Sequence, residues 1–426
     1  MDVTVIGCGY VGLTTGVVLT SLGHTVTCVD RSEEIIRGLT KGTVHFREPG
    51  LPGLVSAGLG SGRLSFATKG GEAVRNSDIV LICVGSPSGP DGAADTSQVD
   101  EAFKEIVAEA RSGLVVALKS TVPVGTCRRL AALAADIAPV LGIEVVSNPE
   151  FLREGRALSD AMNPDRIVIG SDSARATHAM IELYYPLHAP FLIVSPAEAE
   201  FIKYAANAFL ATKVSFINEL AELAEASGVD ICRVARGIGL NPRIGQAFLK
   251  PGIGFGGPCL PKDLRALVAA GKSKGVAMTL LQEVERVNLR QRERAIGKLE
   301  SALGGLAGKT IAVWGLTFKG GTGDIRESPS VELALAVARR GATVRCYDPA
   351  VAHPATLPPL TICESPYAAV TRAHALAVLT DWDEFARLDL ARVRQLMTGR
   401  VVFDGRNVLS SEAVRSLGFD YVGMGR

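Results

Sequence analysis

The sequence predicts an α/β protein with two doubly wound parallel sheets joined by a helical middle that contains one long central helix. Three observations carry that prediction. Apolar runs alternate with helix-length stretches up to about Ser195. A strandless, Ala/Glu/Leu-rich stretch follows. The strand–helix alternation then resumes at Lys309.

Strands covered by helices on both faces read as continuous apolar runs. The first segment shows the repeating unit. VTVIG is an apolar run closing on Gly7, CGYVGLTTGVVLTSLG has a small-residue helix pattern, and HTVTCVD is a second strand closing on Asp30. Together they form a β-α-β unit. Further strand-like runs lie at Ile79–Val84, Leu114–Leu118, Glu144–Ser147 and Ile167–Ile169. From Ala197 to about Ser227 there is no strand signal, which predicts one helix of about 30 residues, well beyond the usual length of roughly 10–14. Helical pattern returns from Lys262 to about Ala302, after PGIGFGGPCLPKD. The strand KTIAVWG, the helix ESPSVELALAVARRG and the strand ATVRCYDP then repeat the opening layout, with Gly315 and Asp348 in the places of Gly7 and Asp30. The loop between, LTFKGGTGD, is not a dinucleotide fingerprint. HALAVLT and RVVFDG extend the second sheet. The expected domains are residues 1–196, 197–304 and 305–426.

Composition narrows the function classes. The 426 residues carry 45 Lys and Arg against 44 Asp and Glu, a formal net charge of +1. This balance argues against broad neutralisation of nucleic-acid phosphates but leaves room for a local basic pocket around one small anion. With 47% hydrophobic and 21% charged residues, the chain has an ordinary globular composition. No apolar run nears the roughly 20 residues of a membrane span. MDVTVIGCGY runs straight into a strand, so no signal peptide is expected. Eight cysteines without a CxxC pair or Cys/His cluster suit neither a disulfide scaffold nor a zinc site. No metal is expected, and the compartment read from the cysteines is a reducing cytosol.

Gly7, Gly9 and Gly12 follow a strand and open a helix. The first glycine permits a tight turn, the second lets a pyrophosphate approach the backbone, and the third lets helix and strand pack closely. The helix N-terminus then receives the phosphates. GxGxxG alone is weak evidence. Here the β-α-β context and Asp30, about 20 residues on, make it a Rossmann dinucleotide site. A carboxylate at Asp30 accepts from a ribose 2′-hydroxyl and repels a 2′-phosphate. NAD is therefore expected over NADP, even with Arg31 alongside.

Cys259 is the second signal. The glycines of GIGFGGPCLPKDL bring backbone close to a ligand, and Pro261 suggests a helix beginning there. A helix N-terminus lowers a thiol's pKa, so the position suits an activatable nucleophile, although a chance loop cysteine looks the same. Cys8, Cys28, Cys83 and Cys346 fall in strand patterns and read as small buried hydrophobes. Lys203 and Asn207, four apart on the long helix, share a face. A cation and an amide projecting together suit a developing oxyanion, though a solvated face has the same spacing. Asp263 and Lys262 follow the cysteine closely, where an acid also serves as a helix-dipole partner. Glu150 and Glu154 follow a strand end, where doubly wound sheets build their sites. The six histidines are scattered, none in a glycine-rich segment, so a histidine base has no candidate.

These segments resemble the nucleotide-sugar dehydrogenases of the UDP-glucose/GDP-mannose dehydrogenase family. The likeness runs from IGCGYVG to FDGRNVL. It includes REPGL (Arg47–Leu51), KSTVPVGT (Lys119–Thr126), NPEFLREG (Asn148–Gly155), PDRIVIG (Pro164–Gly170), KYAANAFLATKVSFINE (Lys203–Glu219), NPRIG (Asn241–Gly245), FLKPGIGFGGPCLPKD (Phe248–Asp263), GLTFKGGTGDIRESPS (Gly315–Ser330) and TDWDEF (Thr380–Phe385). It implies an N-terminal NAD-binding Rossmann domain, a helical dimerisation domain and a C-terminal Rossmann-like domain for the sugar nucleotide. UDP-glucose is the expected substrate, and another NDP-hexose or a non-catalytic binding role is the alternative.

The implied reaction is a four-electron oxidation of the sugar C6 alcohol to a carboxylate, using two NAD in turn, through a thiohemiacetal and a thioester on Cys259. Lys203 and Asn207 match the oxyanion pair, Glu150 the base of thioester hydrolysis, and Asp263 and Thr121 residues that position water and assist proton transfer. The implied cofactor contacts are Gly7, Cys8, Gly9, Tyr10, Val11, Gly12, Asp30, Val84, Gly85, Ser86, Pro87, Ser120, Thr121, Val122, Glu154 and Arg326. The implied substrate contacts are Glu150, Phe151, Leu152, Arg153, Glu154, Lys203, Asn207, Arg243, Phe248, Leu249, Lys250, Gly254, Phe255, Gly256, Cys259, Lys319 and Arg406. Arg243 is expected to reach across a homodimer. Three places depart from the family pattern: Pro258 stands for a usual Ser, Ile35 for a Lys or Arg, and Gly85-Ser86-Pro87 for Asn/Gly-Thr-Pro. None removes a catalytic group.

Overall fold

The structure is a computed structural model and describes residues 1–351 and 357–426. The chain divides into two compact units, residues 1–206 with 265–273 and residues 207–264 with 274–426.

The first unit holds an eight-stranded sheet: β1 (Asp2–Ile6), β2 (Thr25–Val29), β3 (Leu64–Ala67), β4 (Ile79–Ile82), β5 (Val115–Leu118), β6 (Glu144–Ser147), β7 (Ile167–Gly170) and β8 (Phe191–Val194). Their spatial order is β3-β2-β1-β4-β5-β6-β7-β8, so the winding reverses between β1 and β4. Ligands bind at such switch points, beyond the C-terminal ends of the strands. The continuous apolar runs have a simple cause. Ile79 and Leu81 of β4 enter one core with Val3, Val5 and Val115, while Val80 and Ile82 enter the other with Phe103 and Val116. All four β4 side chains are fully buried, each worth about 1.5–3 kcal/mol of hydrophobic transfer.

One pairing departs from an all-parallel sheet. β7 meets β6 antiparallel, with Ser147 opposite Gly170. Antiparallel neighbours need no crossover helix, and the link between them carries only the short helix Ala157–Met162. Two longer helices flank the strands that matter here, α1 (Tyr10–Ser21) and α2 (Thr126–Ile137). Residues 12–20 of α1 are all buried. The small residues that masked any amphipathic period there are what let the helix lie close to the sheet: a Cβ on Gly16 would sit 2.4 Å from Cys28 Sγ.

The long helix α3 (Pro196–Ala226) matches its expected extent within a residue and passes from the first unit into the second. The single helical stretch expected from Lys262 to Ala302 is instead two helices, α4 (Leu260–Ser273) and α5 (Thr279–Leu303). Gly275 (φ 73°) and Met278 (φ 50°) break it with left-handed backbone.

The second unit holds β9 (Thr310–Trp314), β10 (Thr343–Tyr347), β11 (Thr361–Ile362), β12 (Ala375–Val378), β13 (Val401–Asp404) and β14 (Asp420–Gly423), with α6 (Pro329–Arg339) after β9. The order is β11-β10-β9-β12-β13-β14, all parallel. Its strands again alternate between two cores: Ile311 and Val313 face one, Ala312 and Trp314 the other.

Candidate active site

The loop after β1 has the backbone of a phosphate cradle. Gly7 sits at φ 98°, and a Cβ there would lie 2.9 Å from the Cys83 carbonyl oxygen. A Cβ on Gly12 would lie 1.8 Å from the Gly7 carbonyl oxygen, so α1 could not pack onto β1. At Gly9 a Cβ would meet no atom within 4 Å, which leaves room for a ligand against the backbone. Gly9 caps α1 and brings no side-chain acceptor of its own, which suits the positive end of the helix to an anion. Asp30 accepts from Cys8 N at 2.8 Å and Ser32 N at 3.0 Å, which fixes the acid beside the loop. Tyr10 stacks on Phe46 with ring centroids 4.1 Å apart and donates to the Arg47 carbonyl. These residues fit a dinucleotide. Ile35 packs onto the adjacent core.

Cys8 and Cys83 lie just past the ends of β1 and β4 rather than inside them, but both are buried, and burial pushes the Cys83 thiol up to about 12. The next two loops brace each other. Ser86 Oγ donates to the Thr121 carbonyl at 2.6 Å, and Ser120 Oγ donates to the Val84 carbonyl at 2.6 Å. Ser86 therefore holds the neighbouring loop with its one hydroxyl. Val122 is buried in the core below, while Gly85 and Pro87 are exposed.

After β6, Glu150 is buried against Lys203 of α3, with Nζ 2.9 Å from Oε1. Leu152 N donates to the other oxygen. Burial alone would raise the Glu150 pKa, but Lys203, the Leu152 N–H and the more distant Lys119 overcome it and hold the carboxyl below its usual range. Phe151 lies beneath the Lys203 ammonium, 5.4 Å from Nζ to ring centroid. Arg153 forms a two-point pair with Asp160, and Glu154 is half-buried next to it.

In the second unit, Pro251–Gly257 form a strap whose seven residues are all buried. Side chains satisfy its backbone. Asn288 accepts from Phe255 N at 2.7 Å and donates to its carbonyl at 3.0 Å. Asn218 accepts from Gly252 N, and Gln291 donates to the Gly252 carbonyl. Arg406 donates to the carbonyls of Gly254, Leu379 and Phe318. The glycines are steric necessities: a Cβ on Gly256 would lie 2.1 Å from the Glu327 carbonyl oxygen, and one on Gly254 2.6 Å from Asn288 Oδ1. After Pro258 the chain surfaces, and Cys259 is exposed.

Cys259 is the residue just before α4, which begins at Leu260, one residue earlier than Pro261 suggested. Its carbonyl accepts the first helical bond, from Asp263 N at 2.9 Å. The thiol thus stands at the positive end of α4. Asp263 is buried between Asn207 Nδ2 at 2.5 Å and Lys262 Nζ at 2.6 Å. Leu249 is buried and Phe248 takes left-handed backbone (φ 63°). Lys250 faces Asp381 at 3.5 Å, and Lys319 lies over the Phe318 ring. Arg326 pairs with Asp324 two residues away, and Arg243 is exposed on a turn capped by Asn241.

The structure therefore gathers Gly7–Gly12, Asp30, Ser86, Ser120, Thr121, Glu150 and Lys203 in one unit, and Asn207, the strap, Cys259, Asp263, Lys319 and Arg406 in the other. The expected sites did not include the side chains that hold these segments: Lys119; Glu48, which accepts from Gly155 N at 2.8 Å behind the Glu150–Glu154 loop; Glu200, which accepts from Gly125 N and Cys127 N; Asn218, Asn288 and Gln291 on the strap; Asp348, which accepts from Leu316 N and Thr317 N; and Asp381 beside Lys250. Lys119 was legible as a cation closing an apolar strand. It is buried, with Asn148 Oδ1 at 3.1 Å and the Tyr184 hydroxyl at 3.3 Å as hydrogen-bond partners. The amides carry no such mark.

Among the described residues no helix is long and apolar enough to cross a membrane, and no His/Cys/Asp/Glu group is arranged to hold a metal. Three family models match in chain order. They are the NAD binding, central and UDP binding domains of the UDP-glucose/GDP-mannose dehydrogenase family, at residues 1–188, 197–290 and 312–411. The UDP-glucose 6-dehydrogenase of Rhizobium meliloti is 44% identical over 436 residues, covering all of both chains. The solved UDP-glucose dehydrogenase of Pyrobaculum islandicum superposes with a TM-score of 0.91 at 41% identity, over 99% of this chain and 97% of that one. A UDP-D-ManNAc dehydrogenase from Pyrococcus horikoshii has the same TM-score of 0.91 at 29% identity, over 100% and 99% of the two chains. With its whole length matched in this way, the chain belongs to the UDP-glucose/GDP-mannose dehydrogenase family.

Proposed function

We propose that the protein oxidises UDP-glucose at C6 to UDP-glucuronate, using two NAD in succession. The observation that carries this reading is the exposed Cys259 at the N-terminus of α4, delivered by a buried strap, in a chain whose full length matches UDP-glucose 6-dehydrogenases. The UDP-D-ManNAc relative shows that the fold does not choose the sugar, so a second NDP-hexose is the competing reading. We keep the division at 196 and 304 as the domain boundaries of this reading.

Bound NAD supplies the hydride acceptor for each of the two oxidations. The rest falls to the protein. The C6 alcohol gives up a proton and a hydride and becomes an aldehyde, which has no hydride to lose until a nucleophile adds. The Cys259 thiolate adds to C6, and the carbonyl oxygen takes a proton, giving a thiohemiacetal. Loss of a second proton and hydride leaves a thioester, so four electrons have departed as two hydrides. Water then breaks the C–S bond, releasing the carboxylate and returning the thiol. Lys203 and Asn207, one turn apart on α3, donate to the developing oxyanion. Glu150, held ionised, is the base for hydrolysis, and Asp263 and Thr121 order the water. Lys319, Arg406 and a partner's Arg243 complement the pyrophosphate.

Dimerisation is part of the proposal. Phe209, Phe216 and Leu223 recur every seven residues on α3 and are 65%, 50% and 65% exposed, an apolar stripe suited to a second copy. The reading also places the enzyme in a reducing cytosol, which keeps the Cys259 thiol usable. A panel of sugar nucleotides assayed for NADH and for product tests the function. Two NADH per UDP-glucose with an acid product is the expected result. Turnover of another NDP-hexose with none of UDP-glucose overturns the assignment.

A further inference from the structure

We propose that Glu200 is a positioning residue that ties the loop carrying Thr121 to the helix carrying Lys203. The proposal rests on the reading that Thr121 serves the reaction. Helix α2 begins at Thr126, and its cap, Gly125, has left-handed backbone (φ 99°) and no side chain to receive the first-turn N–H groups. Such donors need an acceptor. A local side-chain cap is disfavoured, because any Cβ at this φ is strained. The acceptor comes instead from α3. Glu200 Oε2 receives Gly125 N at 2.6 Å and Oε1 receives Cys127 N at 2.7 Å.

Glu200 is only 2% exposed. Burial raises its pKa, and the two N–H bonds and Arg128 oppose that rise. A carboxylate at the positive end of a helix also has the favourable sign. The front of the same loop is held by Ser86 on the Thr121 carbonyl and by Ser120 on the Val84 carbonyl. Glu200 is the clamp at the rear. One turn further along α3, Lys203 holds Glu150. The same stretch of helix therefore sets both the Thr121 loop and the Glu150 carboxylate, and a loss at Glu200 lets the loop move without touching either ligand's contacts.

The test uses E200Q and E200A in the full-length enzyme with UDP-glucose and NAD. The glutamine keeps the volume but has one acceptor oxygen for two donors, so it retains one bond at most. It carries the test if the alanine variant does not fold. A misplacement of about 1 Å costs up to roughly a hundredfold in rate, so kcat should fall by roughly ten- to a hundredfold, less in E200Q than in E200A. The KM for the sugar nucleotide should stay within about twofold. Amide exchange should quicken in residues 119–127 and not in residues 7–12. In a double-mutant cycle, E200Q should cost nothing further once T121A is present. Unchanged kcat, unchanged exchange, or full additivity with T121A would overturn the proposal. If T121A alone keeps wild-type kcat, the reading of Thr121 falls instead, and exchange with the E200Q rate still judges Glu200.

Discussion

The two sheets begin alike and end differently, and the difference lies in one crossover. In each, a strand closes on a left-handed glycine, Gly7 (φ 98°) or Gly315 (φ 96°), and the next strand closes on an acid, Asp30 or Asp348. In the first sheet only Gly7, Cys8 and Gly9 separate β1 from α1. The helix N-terminus faces directly the space where a pyrophosphate fits. In the second sheet the chain wanders from Gly315 to Ser328 before α6 begins. Asp348 is then spent on that excursion. It is buried, and one of its oxygens accepts from Leu316 N, Thr317 N, Thr317 Oγ1 and Trp382 Nε1. A shared β-α-β frame does not give a shared ligand: each oxygen of Asp30 takes one backbone N–H and the acid stays half-exposed, whereas Asp348 is buried with four donors on one oxygen.

The largest expected effect tests whether either sheet carries the chemistry at all. Cys259 lies between the strap and α4, not in a sheet. C259A should therefore lower complete turnover by at least about a thousandfold, while NAD and UDP-glucose still bind as measured by calorimetry. C259S should stop at or before the aldehyde. Full turnover with two NADH per sugar in either variant would disprove thioester catalysis.

The second prediction sets the acids against each other. D30A should raise the KM for NAD by roughly ten- to a hundredfold, the worth of a charged hydrogen bond, and lower Tm less than D348A does, since Asp30 receives two N–H donors rather than a buried cluster of four on one oxygen. D348A should do the reverse. It orphans buried donors at Leu316 and Thr317, so it should cost about 3 kcal/mol of stability and leave the KM for NAD alone. A rise in that KM for D348A would break the comparison.

The glycines sharpen it at smaller scale. A Cβ on Gly9 meets nothing in the protein, so G9A should leave stability within about 0.5 kcal/mol and weaken NAD binding in a titration. A Cβ on Gly315 would lie 2.3 Å from Thr380 Cβ at a strained φ. G315A should therefore cost about 3 kcal/mol with no effect on NAD.

What the sequence shows and what it hides follow from the same physics. Both sheets were legible because strands such as β4 pack on two faces and must be apolar throughout. Short edge strands such as β3, β8, β11 and β14 left no clear run. The antiparallel β7 is invisible to periodicity, which records burial but not direction. The Gly7–Gly12 turn and Asp30 could be read because a tight turn and a close approach dictate residue type at fixed spacing. Asn288, Gln291 and Glu200 could not. Each acts across dozens of residues on another segment's backbone, and a backbone N–H or carbonyl has no letter in the sequence.

The smallest effect concerns two acids at strand ends, the buried Glu150 after β6 and Asp381 after β12, whose side chain is 36% exposed. Burial raises both, and neighbouring cations overcome it: Lys203 for Glu150, Arg406 and then Lys250 for Asp381. Both folded pKa values therefore lie below the unfolded ones. Each acid contributes stability that is present above its unfolded pKa and lost as pH falls through the folded value. Removing a cation raises the folded pKa, so stability is lost at a higher pH. The two cations differ in exposure: the Lys203 side chain is 5% exposed and that of Lys250 is 56%. K203M should move the acid unfolding midpoint clearly upward, and about 0.5 M salt should not erase the difference, because solvent does not reach the pair. K250M should move it only slightly, and the same salt should remove the shift. Equal shifts in the two variants, or equal salt sensitivity, would show that the two acids are held by the same means and that burial of the cation does not separate them.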